Sequence, residues 1–203
     1  MDYTQFGCPR GEGGRLILED MNIHHRPLSE WAIEKLSSNY TSILDVGCGG
    51  GMQLSILSMK YPTASLIGVD ISEEAVAKAL ETNRKDIDSG RCKILKASVF
   101  ELPFGDCTFD LVTAFETYFF WSDLSMAIKE IHRVLKLGKC FQIVSEQYPH
   151  PNFNDKISKL AKLCNFKLVT NEEMVQLLEN NGFFVKVDVI EDKNWVCFTA
   201  IKN

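Results

Sequence analysis

Residues Ile43–Gly51 read ILDVGCGGG, and this stretch sets the architecture expected for the chain. Apolar Ile43 and Leu44 lead into Asp45, and Gly47, Gly49, Gly50 and Gly51 follow within six residues. A short buried strand that ends in a loop without side-chain bulk lets backbone lie directly against a ligand. The helix that follows points its first free N–H groups at the same place. That helix is expected over Met52–Tyr61, with Leu54, Ile56, Leu57 and Met59 as its apolar residues. Strand, glycine turn and helix together form the opening unit of a doubly wound α/β sheet.

The next acid narrows the ligand. Ala64–Ser72 reads ASLIGVDIS, and Asp70 stands nineteen residues after Gly51. Leu66, Ile67 and Val69 make a second buried strand, with Asp70 at its carboxyl end. A carboxylate there can accept hydrogen bonds from both hydroxyls of a ribose, each charge-assisted bond contributing about 1.5–3 kcal/mol. Capping the following helix is the plainer use of an acid, but Ser72, with Glu73 and Glu74 behind it, already does that. A dinucleotide fingerprint G-x-G-x-x-G starting at Gly47 would need glycine at position 52, where Met52 stands.

The actual spacing, Asp45-x-Gly47-x-Gly49-x-Gly51, resembles motif I of the class I S-adenosylmethionine-dependent methyltransferases. The resemblance covers roughly Thr41–Ala200. Residues 96–104, KASVFELPF, resemble the family's G-D-A-x-x-L-P-F, and residues 130–144, EIHRVLKLGKCFQIV, its E-x-x-R-V-L-K-P-G-G. Two departures stand out. Ser98 occupies the place of the Asp that bonds the adenine amino group, and Leu137 and Lys139 replace Pro and Gly. A hydroxyl accepts that bond more weakly than a carboxylate. What the resemblance implies is S-adenosyl-L-methionine as cofactor, held by Asp45, Gly47, Cys48, Gly49, Gly51, Asp70, Ile71, Ser98, Val99 and Glu116. The fold it implies is an α/β, doubly wound, Rossmann-like seven-stranded sheet, mostly parallel with an antiparallel last strand. The expected division is an N-terminal lid or helical segment over 1–40 and a cofactor-binding domain over 41–203.

Elsewhere the pattern places a helix over Glu73–Asp88 and strands over Cys92–Leu95 and Phe109–Phe115. An amphipathic helix follows over Ser122–Leu137, stopped by Gly138, then a strand over Lys139–Ser145. The segment DKISKLAKLCNFK carries Lys156, Lys159, Lys162 and Lys167, and reads as a solvated basic face over a packed one. Thr170 and Glu173 make a capping box for a helix ending at Gly182, and strands over Phe183–Ile190 and Trp195–Ile201 close the chain as a hairpin. The leader, residues 1–28, is rich in Gly and Arg, with a short helix expected around Leu16–Met21 and another from Pro27.

In a doubly wound sheet the ligand crevice opens at the carboxyl ends of the strands. This places Glu116 opposite the glycine loop as a candidate catalytic group, with Tyr118 and Phe119 as candidates to line the substrate cavity. If the leader folds over the cofactor as such segments do in the resembling family, His24 becomes a second catalytic candidate and His25 a substrate-lining one.

Composition bounds the rest. The chain has 203 residues, 45% hydrophobic and 24% charged, enough for one domain with a substantial core. No apolar run approaches the ~18–20 residues of a membrane span, and the leader has no apolar core of a signal peptide. Net charge is −5 with no basic tail, which argues against a nucleic-acid partner. Seven scattered cysteines, none spaced C-x-x-C, suggest neither a disulfide framework nor a metal site, and so a reduced, cytoplasmic setting. The expected activity is methyl transfer to a small-molecule acceptor, closest in flavour to quinone-biosynthesis C-methyltransferases. The alternatives are a cofactor-binding module without turnover and an NAD-dependent oxidoreductase.

Overall fold

The structure, a computed structural model, describes residues 5–37 and 39–203; the first four residues of the leader lie outside it. Among the described residues the strands are β1 (Ser42–Val46), β2 (Ser65–Asp70), β3 (Cys92–Lys96), β4 (Phe109–Phe115), β5 (Leu135–Ser145), β6 (Phe183–Ile190) and β7 (Trp195–Lys202). They form one sheet in the order β3-β2-β1-β4-β5-β7-β6. The first five are parallel, and β7 runs antiparallel between β5 and β6. The order reverses at β1, so the crevice opens beyond the carboxyl ends of β1 and β4. β4, FDLVTAF, is buried along all but its last residue, as a strand covered on both faces must be.

The helices are α1 (Gly11–His24), α2 (Arg26–Ile33), α3 (Met52–Lys60), α4 (Glu73–Thr82), α5 (Arg84–Asp88), α6 (Leu124–Val134), α7 (Asn154–Cys164) and α8 (Asn171–Asn180). One core packs around β1, β4 and β5 with α6, through Val112, Phe141, Ile128 and Ile131. A second packs α3 on the opposite side, through Leu54, Leu57, Ile43 and Leu111.

Three expectations change. The helix expected over Glu73–Asp88 breaks at Asn83, whose side-chain amide donates to the Ala79 carbonyl and, at 2.9 Å, to Gly51 O. Anchoring the glycine loop takes precedence over continuing the helix. The helix expected to reach Leu137 stops at Val134, because Leu135 pairs with Phe109 and β5 begins there. The Nζ of Lys202 donates to the His132 and Leu135 carbonyls at 2.6 and 2.7 Å, satisfying groups freed at the junction. The leader carries a fourteen-residue helix, α1, where only a short one was expected. Its buried Ile17 and Leu18, together with ion pairs to α4, supply what its glycines lack in helix propensity.

Candidate active site

Gly47 leaves β1 at φ +71°, and a Cβ on it would stand 2.2 Å from Thr117 Oγ1 and 2.8 Å from Thr117 Cβ, so only glycine lets β4's exit lie this close. Gly47 and Cys48 donate their N–H groups to Val69 O, and Gly49 N–H donates to Asp70 Oδ2 at 2.9 Å. The other Asp70 oxygen accepts from Ser72 N–H, also at 2.9 Å. One carboxylate thus fixes the loop after β1 and the turn after β2. Ser72 also caps α4 as expected, accepting from Ala75 N–H, while its hydroxyl donates to Pro9 O at 2.6 Å.

Two cavities meet over this loop. The first, about 80 Å3, is lined by Asp45, Gly47, Cys48, Gly49, Gln53, Asp70, Glu116 and, from the leader, Leu18, Met21, Asn22, His25 and Ser29. The second, about 280 Å3, is lined by Asp70, Ile71, Ala97, Ser98, Val99, Phe100 and Trp121. Gly7, Gly47, Asp70, Thr117 and Phe120 belong to both, so Asp70 stands at their junction. The first is narrow because α1 and α2 lie across it, with Asn22 Nδ2 donating to Gly50 O. Its wall mixes polar and apolar groups about evenly, and the second is somewhat more apolar, with Ser98 Oγ accepting from Phe100 N–H.

Burial sets the electrostatics. Asp45, 1% exposed, is pushed up to about 7 by burial, against a bond from Thr113 Oγ1 at 2.7 Å and with Asp70 nearby adding to the rise. Burial also raises Asp70, opposed by the Ser72, Gly49 and Ile71 amides. Burial and the neighbouring Glu146 push Glu116 up to about 8, although its carboxylate accepts from Glu146 N–H and from the Ser145 and Gln147 side chains. His25 is lowered by burial, with Glu146 opposing. The Cys48 thiol is raised well above its ordinary value by burial and both Asp side chains. Glu116 itself has φ +50°, a left-handed backbone unusual for a side chain of its size.

Of the residues singled out from the sequence, Asp45, Gly47, Cys48, Gly49, Asp70, Ile71, Ser98, Val99, Glu116 and His25 line the paired cavities. Gly51 lies behind them, capping α3 at φ +79°. His24 is not among them: it is exposed, with its ring nitrogen 3.1 Å from Asp20 Oδ1, on the outer face of α1. Tyr118 and Phe119 are not either. Residues 118–120 form a single 3-10 turn, whose successive side chains point about 120° apart. Tyr118 and Phe119 enter the core, Phe119 against Phe166, while Phe120 lines both cavities.

Residues that pattern reading did not find are Asn22, Ser29, Gln53, Phe120 and Glu146. Gln53, 4% exposed, has neither side-chain atom hydrogen-bonded, and Ser29 Oγ, in a residue 1% exposed, also lacks a partner. Both line the first cavity. Glu146 follows β5 and is held by Asn194, whose amide donates to its carbonyl at 2.7 Å. One ligating atom each of His25, Glu116 and Glu146 lies within 4.8 Å of the other two. Only Gln53, in the first turn after the glycine loop, had a local signal.

A family profile described as "Methyltransferase domain" matches residues 44–142. The chain is similar to cycloartenol-C-24-methyltransferase 1 of Oryza sativa subsp. japonica, 33% identical over 161 residues, covering 75% of this chain and 45% of that one. It is also similar to O-methyltransferase cnsE of Penicillium expansum, 31% identical over 150 residues, covering 73% and 54%. The chain therefore spans about half the length of these relatives. In fold it is similar to an S-adenosylmethionine-dependent methyltransferase from Aquifex aeolicus, with TM-score 0.73 and 20% identity over 92% of this chain and 96% of that one.

Proposed function

We propose that the chain, which carries a match to a methyltransferase-domain profile and is similar to methyltransferases, is a class I S-adenosylmethionine-dependent methyltransferase that transfers a methyl group from S-adenosyl-L-methionine to a small-molecule acceptor. The observation that carries this reading is the position of the Asp70 carboxylate where two cavities meet, one with Asp45, Gln53 and the glycine loop in its wall and the other with Ile71, Val99 and Phe100. Such a division fits a ligand with an amino acid at one end, a base at the other and a ribose between. Asp45, Gln53 and the loop amides would take the amino-acid end, Asp70 the ribose, and Ile71, Ser98 and Val99 the adenine. When bound, the cofactor supplies an electrophilic sulfonium methyl. The protein's part is to align the acceptor with it and exclude water.

The acceptor would enter beside His25, Glu116 and Phe120, the cavity groups not assigned to the cofactor. The relatives are named for a carbon acceptor on a sterol and for an oxygen acceptor, so the proposal covers both and is not restricted to a quinone precursor. α1 serves as a lid in this reading, supported by Leu18, Met21 and Asn22 in the cavity wall. A reduced, cytoplasmic setting belongs to the same proposal, supported by seven free cysteines; no described helix is long and apolar enough to cross a membrane.

Calorimetry tests the cofactor site. Asp70→Ala should weaken S-adenosylmethionine binding by about 2–4 kcal/mol, the sum of one or two charge-assisted bonds. Unchanged affinity in a variant that still melts cooperatively would remove the cofactor assignment.

A further inference from the structure

We propose that His25, Glu116 and Glu146 bind a divalent first-row transition-metal ion beside the cofactor cleft. The three residues come from separate parts of the chain: His25 at the α1–α2 junction, Glu116 beyond β4, and Glu146 beyond β5. Their ligating atoms lie within 4.8 Å of one another. Three donors around one ion with bonds of about 2.0–2.2 Å stand about 3.0–3.6 Å apart, so side-chain rotation must draw these three together by about an ångström to close the set.

The charge arrangement calls for a cation. Glu116 is buried and Glu146 half-buried, with carboxylate oxygens within 4.8 Å of each other, and among the described residues neither is in an ion pair. No Lys or Arg lines the first cavity, where His25 and Glu116 stand, while Glu146 borders a neighbouring recess with Lys156 and Lys193. A shared proton or an ammonium group would answer the carboxylates alone; a metal ion also uses the imidazole. One nitrogen with two carboxylate oxygens suits Mn(II), Fe(II) or Zn(II), whereas Mg2+ and Ca2+ favour all-oxygen shells.

A second observation points to a ligand here. Ser29 lies one helical turn beyond His25 on the same face of α2, is 1% exposed, lines the cavity and has no hydrogen-bond partner for its hydroxyl. Such a group stays unpaired at a cost unless a polar ligand or its water reaches it. Where the methyl-transfer reading holds, the ion also selects the acceptor. Without the ion Glu116 offers an oxygen anion nothing, and an ion held between Glu116 and Glu146 attracts one, so the acceptor would carry an anionic or readily ionised oxygen.

The test uses the full chain, stripped with chelator and kept free of S-adenosylmethionine, so that it stands apart from the cofactor assignment. Mn2+ is titrated by the loss of its free-ion paramagnetic resonance signal, and Zn2+ by calorimetry. One equivalent should bind and raise the melting temperature. His25→Gln and Glu146→Gln should each weaken binding at least tenfold while metal-free melting stays cooperative, and Asp70→Ala should leave it unchanged. Absence of saturable binding of either ion would overturn the proposal. So would affinity that survives both variants, as for an adventitious ion held by surface carboxylates.

Discussion

Asp45 shows at the scale of one residue how the site opposes stability. Its carboxyl titrates near 7 in the folded chain because burial disfavours the charge, against 3.8 for the free group. Between those values the folded form keeps a proton that the unfolded form has lost, so raising the pH through that window costs stability, and above it the loss is constant. Asp45→Asn removes the titration and keeps an oxygen for the Thr113 hydroxyl. Its melting temperature should match the wild type at pH 4 and exceed it at pH 8, while cofactor affinity falls. Calorimetric scans at the two values check this, and a gap that does not widen with pH would show that burial is not what raises the group. Asp45 and Asp70 were legible in the sequence because each lies within a few residues of the glycine loop or a strand end. Ser29 and Asn22 were not, because they reach the cleft only through contacts distant in the chain, and Glu146 comes near Glu116 and His25 in the same way; no spacing records those. Tyr118 and Phe119 were misjudged for a local reason: three consecutive aromatics give no clue to which one a 3-10 turn will face inward.

Among the elements, α1 is held to the rest in part by pairs at the surface. Its outer side is tied to α4 by Arg15 to Glu81, at 3.0 and 2.6 Å, and by Lys78 to Glu19 at 2.7 Å. Arg15 and Glu81 are nearly half exposed, and pairs of that kind contribute little and weaken with salt. Arg15→Ala, or salt at molar concentration, should therefore speed amide exchange over residues 11–24 and leave the sheet unaffected. Exchange followed by mass spectrometry decides. No change in either case would mean that Ile17, Leu18 and Asn22 alone keep the helix closed. The sequence signalled α8 correctly, since the Thr170–Glu173 capping box is local and forms as read, with Thr170 N–H donating to Glu173 and Glu173 N–H to Thr170. It did not signal the ends of α4 and α6, which are set by Asn83 reaching Gly51 and by β5 pairing with β4.

On the scale of the whole molecule, the first forty residues divide in two. α1 crosses the cleft, whereas α2 enters the core, with Leu28 and Ala32 buried against Val144 and Cys197. Gln142, inside β5, donates to the Ala32 carbonyl at 2.8 Å. Removing residues 1–24 should leave a chain that melts cooperatively at lower temperature and holds the cofactor less well. Removing residues 1–40 should abolish cooperative melting, since Ile33, Leu36 and Tyr40 are also core residues. Circular dichroism and calorimetry on the two truncations check both outcomes, and cooperative melting of the shorter one would return α2 to the lid. The sheet order has a consequence for assembly in time. Strand β6 precedes β7 in the chain, yet its single neighbour in the sheet is β7. Until β7 arrives, β6 has no strand to pair with, and β5 presents Cys140–Ser145 as a raw edge of unpaired backbone, able to recruit a strand from another molecule. Newly made chains are thus most prone to aggregate in the interval before these two strands dock together.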